Sequence, residues 1–197
     1  RTGRMSSDFV IWSDRSVENS ARLTGLAGLE REWTLFQGMH LAPDWANVSY
    51  EMDPNYPEDI ALFDGVANID QLVIVSKKLR EFFVRRGLQG VEFLPITIRD
   101  QRGRVASRDH VIVNPYPLQD AIDMDASEVT YDRLRPTDIA EVERLLIDPA
   151  RVDPKVGIFR LSRFTRVVVV RRSLAEAITA EGFRGMRWIP VTGYPEG

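Results

Sequence analysis

The chain has no cysteine and only two histidines, His40 and His110, seventy residues apart. The first absence excludes a disulfide framework and any thiolate metal site. The second argues against a histidine-based metal centre, since neither imidazole has a His or Glu neighbour at ligand spacing. No apolar run approaches the roughly 18 to 20 residues of a membrane span, so a membrane partner is not expected. There is no phosphate-cradling glycine loop and no Gly-x-Ser-x-Gly elbow. Serines are plentiful, but none stands in a context that suggests a base and an orienting acid. No signal peptide is visible; Met5 is expected to be the natural start, with Arg1–Arg4 left from a vector.

One further absence is local. From Glu32 to Ser76, 45 residues pass without a lysine or an arginine. That stretch carries eight acids, Glu32, Asp44, Glu51, Asp53, Glu58, Asp59, Asp64 and Asp70. Trp33, Phe36, Trp45, Tyr50 and Tyr56 are interleaved with them. The sign then alternates along the chain. Lys77–His110 holds nine basic residues against four acidic ones, and Leu118–Ala150 holds nine acids against three arginines. The overall net charge of −3 conceals this pattern.

What is present is a duplication. Leu72–Thr97 recurs 95 residues later as Val167–Thr192, with eight of 26 positions identical and no gap. The shared residues are Val73/Val168, Val75/Val170, Leu79/Leu174, Glu81/Glu176, Gly87/Gly182, Gly90/Gly185, Pro95/Pro190 and Thr97/Thr192. Each copy opens on a valine-rich run that reads as a strand buried on both faces. A short helix follows, with Leu79, Phe82 and Phe83, or Leu174, Ala177 and Ile178, at i, i+3, i+4 spacing. Ser76 is placed to cap the first helix, and Arg171 takes that position in the second. Gly87 and Gly182 fall where a helix ends in a left-handed residue. A second strand closes each copy (Val91–Ile96, Met186–Val191), and its proline predicts a sheet edge or an exit from the sheet.

The rest of the chain is less regular. Asp8–Trp12 reads as a first strand, and Ser13–Gly28 as a loop or short helix. Val48–Met52 alternates weakly as a strand, Asp100–Gly103 reads as a hairpin turn, and Val111–Val113 as the strand returning from it. Ile139–Ile147 fits a helix or a strand; Val156–Leu161 reads as a strand. At 197 residues and 44% hydrophobic, the chain suffices for one core with an appended lobe. The expected fold is α+β, one compact unit of two related strand–helix–strand modules with an N-terminal acidic lobe. The expected unit spans 5–197, with the lobe at 5–68 and the duplicated core at 69–197.

Two chemical readings of the acids compete. Asp120, Asp123 and Asp125, with Glu128 nearby, are the strongest chemical candidate, and such clusters hold divalent ions or act as acid and base. The spacing lacks the glycine and closing glutamate of an EF-hand. The other reading is a partner surface, in which carboxylates meet a basic protein and an aromatic side chain supplies the anchor. It selects Trp45, Asp53, Tyr56, Glu58, Asp59 and Asp64, together with Asp120, Asp123 and Asp125. The basic segments do not form a nucleic-acid motif, and no nucleic-acid partner is expected.

The order VSKKLREFF…GLQGVEFLPITI, a strand ending in VNP, an Asp-rich link, and GIFRLSRFTRVVVVRRSLAEAI…GFRGMRWIPV resembles the immunity protein family eleven of bacterial polymorphic toxin systems. The resemblance covers Ile69–Val191, and Val91–Pro95 and Ile158–Leu161 carry it best. It implies a cytoplasmic, non-enzymatic antidote without a cofactor, which binds and neutralises a cognate toxin, in some pairs a nuclease. The alternative from the residues alone is a small metal-dependent enzyme using the Asp120–Glu128 carboxylates. A structural or regulatory binding module with no toxin is the third.

Overall fold

A computed structural model of the protein describes residues 8–15 and 17–196. Met5 and the residues before it lie outside the described residues. The strands begin with β1 (Phe9–Asp14), β2 (Arg22–Ala27), β3 (Ser49–Met52), β4 (Ala67–Asn68) and β5 (Ile74–Val75). Helix α1 (Lys77–Arg85) follows, then β6 (Val91–Pro95), β7 (Thr97–Arg99), β8 (Val105–Ser107) and β9 (Val111–Pro115). The second half holds β10 (Glu128–Tyr131), β11 (Ile139–Arg144), β12 (Ile158–Leu161), β13 (Phe164–Arg171), α2 (Arg172–Ala180) and β14 (Met186–Pro190). The mixture of sheets with two short helices is an α+β fold.

Each valine run lies between two cores, which explains why it has no polar residue. Val73 and Val75, like Val168 and Val170, face a central core shared with both helices through Leu79, Phe83, Leu174 and Ile178. Leu72 and Ile74 face the opposite way, onto Leu23, Tyr50, Met52 and Ile98. Val167 and Val169 face a third cluster with Phe159, Leu161, Ile139 and Val142. The period of two along an extended strand divides each run between its two faces.

The sheets show how the copies are completed. One sheet has the order β5-β9-β6, and another β12-β13-β1-β14. In each, the two strands of a repeat copy are separated by a third strand, antiparallel to both. The registers coincide. Val111 lies opposite Val75 and Pro95, as Val10 lies opposite Val170 and Pro190. Ile112 lies opposite Ile74 and Leu94, as Ile11 lies opposite Val169 and Ile189. Both prolines stand on edge strands, where a missing N–H removes no ladder bond that a further strand needs.

Helix α1 is capped by Ser76, whose Oγ accepts the Leu79 N–H at 3.3 Å; Arg171 makes no side-chain cap on α2. Gly87 and Gly182 adopt φ of 65° and 84°, the left-handed end that glycine takes without a Cβ penalty. Gly185 has a stricter reason: at φ 100°, a Cβ there would stand 2.0 Å from the Gly65 carbonyl oxygen. Through this contact the turn after α2 meets the segment that leads into β5.

Residues 22–68 join the first copy through a five-stranded sheet of order β4-β2-β3-β7-β8. Here the expectation of a loop or helix over Ser13–Gly28 is corrected, because β2 runs through it. Only Leu23 of β2 is buried, Gly25 has a positive φ, and the pairing with β3 is irregular between Thr24 and Ala27. A half-exposed, bulged strand of small and polar residues has little of the alternation by which strands are read. Ile139–Ile147 resolves as the strand β11, paired with β10. Asp100–Gly103 makes the β7–β8 turn, with the Asp100 carboxylate accepting the Arg102 and Arg104 N–H groups at 2.9 Å.

Candidate partner-binding surface

The acidic turn after β3 is built by its own polar groups. The Asp53 N–H donates to the Arg22 carbonyl at 2.8 Å, and Asp53 Oδ1 accepts from the Asn55 N–H at 2.9 Å. Tyr56 N–H donates to the Asp53 carbonyl and Asp59 N–H to the Tyr56 carbonyl, so 53–59 winds as two successive turns. From the β7–β8 hairpin, Gln101 Nε2 donates to the carbonyls of Tyr56 (3.1 Å) and Asp59 (3.2 Å). The turn is thereby held at its middle and end. Tyr56 is 56% exposed, and Ile60 and Ile69 are 59% exposed. Tyr56, Asp59 and Ile69 line a groove of about 460 Å³ with Asp14, Arg22 and Gln71.

Asp53, Tyr56, Glu58 and Asp59 thus share one turn, and the other candidates lie elsewhere. Trp45 is half-buried, packs on the β3–β7 core and donates its indole N–H to the Pro95 carbonyl at 2.8 Å. Asp64 accepts the Ser76 hydroxyl at 2.9 Å and the Arg184 N–H at 3.1 Å, joining the start of α1 to the turn after α2. Asp120 pairs with Arg151 at 2.6 Å. Asp123 accepts the N–H groups of Asp125 and Ala126, as a turn-forming aspartate does, and Asp125 is exposed. Glu128 pairs with Arg144 at 2.8 Å. Among the described residues no three histidines, aspartates or glutamates converge to hold a metal ion.

Burial perturbs several acids and bases around these surfaces. Asp14 lines the Tyr56 groove, and burial pushes its carboxyl up to about 6 against the opposing effects of the Asn68 N–H and Arg22. Burial and the Asp70 carboxylate at 2.6 Å push the Tyr50 phenol far upward. Burial pushes the His110 imidazole down against the opposing effects of the Phe63 backbone, Asp109 and Asp64; its Nδ1 lies 2.7 Å from Ser107 Oγ.

Two buried charges escape a reading by composition. Glu92 is 7% exposed and accepts from the Leu41 N–H (2.6 Å), the Ala42 N–H (3.1 Å) and Asn114 Nδ2 (2.7 Å). His40 Nδ1 adds a contact at 2.6 Å. Arg160, 1% exposed, has a single acceptor for its side chain among the described residues, the Thr165 carbonyl at 2.6 Å, and its guanidinium lies over the Phe36 ring. The signal for both was register: each stands in a strand whose neighbours on that face are buried.

The described residues form an α+β scaffold in which turns and hairpins, not a cluster of reactive groups, carry the exposed polar chemistry. A family model for immunity proteins matches residues 30–193 of the 197. The chain belongs to that family, Imm11. No curated protein matches it. Among the described residues no helix is long and apolar enough to cross a membrane.

Proposed function

We propose that this immunity protein acts in the cytoplasm of the producing cell as a stoichiometric, non-enzymatic antidote, and that it grips its cognate toxin through the acidic turn 53–59. The observation that carries the site is the pairing of an exposed Tyr56 with Asp53, Glu58 and Asp59 on a turn pinned by Gln101. A pinned turn loses little freedom on binding, and an exposed aromatic beside an apolar rim is a typical hot-spot arrangement. The carboxylates suit a basic toxin surface, such as a nuclease uses to hold a phosphate backbone. Asp120, Asp123 and Asp125 offer a second acidic contact zone, and the partly exposed Trp45 and Asp64 are further contact candidates.

Binding kinetics against the product of the neighbouring toxin gene test this at two salt concentrations. Reversing Asp53, Glu58 and Asp59 to lysine lowers the association rate and flattens its salt dependence. Tyr56→Ala raises the dissociation rate, at a cost of about 2 kcal/mol or more. Unchanged rates in both variants remove the turn from the interface.

A further inference from the structure

A second groove, of about 420 Å³, opens between the 3₁₀ turn Glu32–Phe36 and the hairpin joining β12 to β13. Its wall includes Trp33, Phe36, Phe164, Arg163 and Arg166, with the Asp132–Asp138 turn at one rim. Trp33 is 54% exposed. Arg160 is not part of the lining but is bound to two residues that are: its guanidinium lies over the Phe36 ring and donates to the Thr165 carbonyl.

The charges in this groove do not cancel. Its carboxylates are already engaged: Asp138 pairs with Arg135 at 3.4 Å, and Asp132 accepts the N–H groups of Leu134 and Arg135. The guanidinium groups of Arg163 and Arg166 hydrogen-bond no carboxylate among the described residues, although Arg166 lies near enough to Asp132 to lower its pKa. Arg160 is the sharper anomaly. Its Nε is buried without an acceptor, and burial is the one cause acting on its pKa, which falls to about 10 with no carboxylate opposing it. The group still carries its charge at neutral pH. A buried charge without a counter-ion is costly, whereas Glu92, the other buried charge, is satisfied on every side. Sites that break such a rule without local compensation are commonly functional.

We propose that this groove receives a carboxylate-bearing segment of the protein partner, an Asp or Glu side chain held by Arg163 and Arg166 over Trp33, with Arg160 supplying the buried positive charge behind. The proposal rests on the reading that the partner is a protein. It adds a cationic contact to a chain of net charge −3, and two contacts of opposite sign fix the orientation of a partner better than one. Guanidinium groups match carboxylates in geometry, and the low dielectric around Arg160 lets its field reach the groove.

The test needs no toxin, so its failure leaves the antidote reading standing, and a missing toxin interaction leaves this result standing. The probe is a capped pentapeptide, Gly-Glu-Asp-Glu-Gly, titrated into ¹⁵N-labelled protein beside its Gly-Gln-Asn-Gln-Gly counterpart and inorganic phosphate. The acidic peptide alone is expected to shift the Trp33 indole and the Arg163 and Arg166 Nε–H signals, less so at high salt. Arg163→Gln with Arg166→Gln weakens its binding about tenfold. Arg160→Met weakens it about threefold while leaving Tm unchanged or higher, because an uncompensated charge is removed. Equal shifts with the amide peptide, or shifts with phosphate alone, overturn the proposal. So does an Arg160→Met protein with lower Tm and unchanged peptide affinity, which makes Arg160 a purely structural hydrogen-bond donor. If Arg160→Met does not fold, the double variant decides by itself: undiminished peptide affinity refutes the site.

Discussion

Replacing Glu92 by alanine removes one carboxylate that ties three parts of the chain together. Its oxygens accept the Leu41 and Ala42 N–H groups from the loop, Asn114 Nδ2 from β9, and a contact from His40. A hydrogen bond to a charged group contributes about 1.5–3 kcal/mol, and an orphaned buried partner costs about 1–3 kcal/mol. Not all of this is lost. Asn114 keeps its second donor bond to the Met39 carbonyl at 2.9 Å, water reaches the loop N–H groups, and the half-exposed His40 contributes little. The expected loss is therefore about 3–5 kcal/mol, with Glu92→Gln costing about half of that because one acceptor oxygen remains. Urea unfolding gives the magnitude, and hydrogen exchange at the Leu41 and Ala42 amides gives the location. A Glu92→Ala protein within 1 kcal/mol of wild type, or unchanged exchange at those two amides, refutes the clamp.

Asp14→Asn follows from a carboxyl whose folded pKa, about 6, exceeds its unfolded value of 3.8. A raised pKa means that the folded state holds the proton longer, so stability is full below pH 3.8 and falls as pH rises through 6. The amide removes that penalty: chemical denaturation is expected to show Asp14→Asn more stable by about 1–3 kcal/mol at pH 8 and equal to wild type near pH 4, and a constant difference refutes it. Leu79→Ala and Leu174→Ala each remove a buried side chain from the central core, at about 2–5 kcal/mol by urea unfolding; a loss under 1 kcal/mol in either argues against equivalent roles. Gly185→Ala drives a Cβ into the Gly65 carbonyl and strains a left-handed backbone, and should lower Tm by several degrees or prevent folding. An unchanged melt would mean that the two turns separate freely.

Much of the secondary structure was legible because its signals are local. Ser76 caps α1, Gly87 and Gly182 end the helices, and Pro95 and Pro190 lie on edges, each through chemistry within a few residues. Strand β2 was not legible, since its Thr, Gly and small residues keep an extended form only by pairing with β3 and β4. The candidate surface was legible in composition but not in assembly. Nine residues chosen for acidity or aromaticity separate into one turn, the partly exposed Trp45 and Asp64 bonded to other segments, and a link in which Asp120 already has Arg151.

By itself the sequence determined the α+β class, the places of α1 and α2 with their flanking strands, the Ser76 cap and the glycine helix ends, because hydrophobic period and turn chemistry act over one or two turns of chain. Only the tertiary structure decided which strand completes each copy. Val10-Ile11 and Val111-Ile112 occupy the same register between different partners, and nothing within either segment names the strands it will pair with. It also decided the meaning of the charges. The stretch without lysine or arginine is not a surface of one sign, because Arg22 and the arginine-bearing β7–β8 hairpin fold against its 53–59 turn. Arg160, one arginine among many in the sequence, becomes singular because packing takes its guanidinium out of water and brings no carboxylate with it. Electrostatic energy depends on distance and dielectric, and both are set by contacts between residues far apart in the chain.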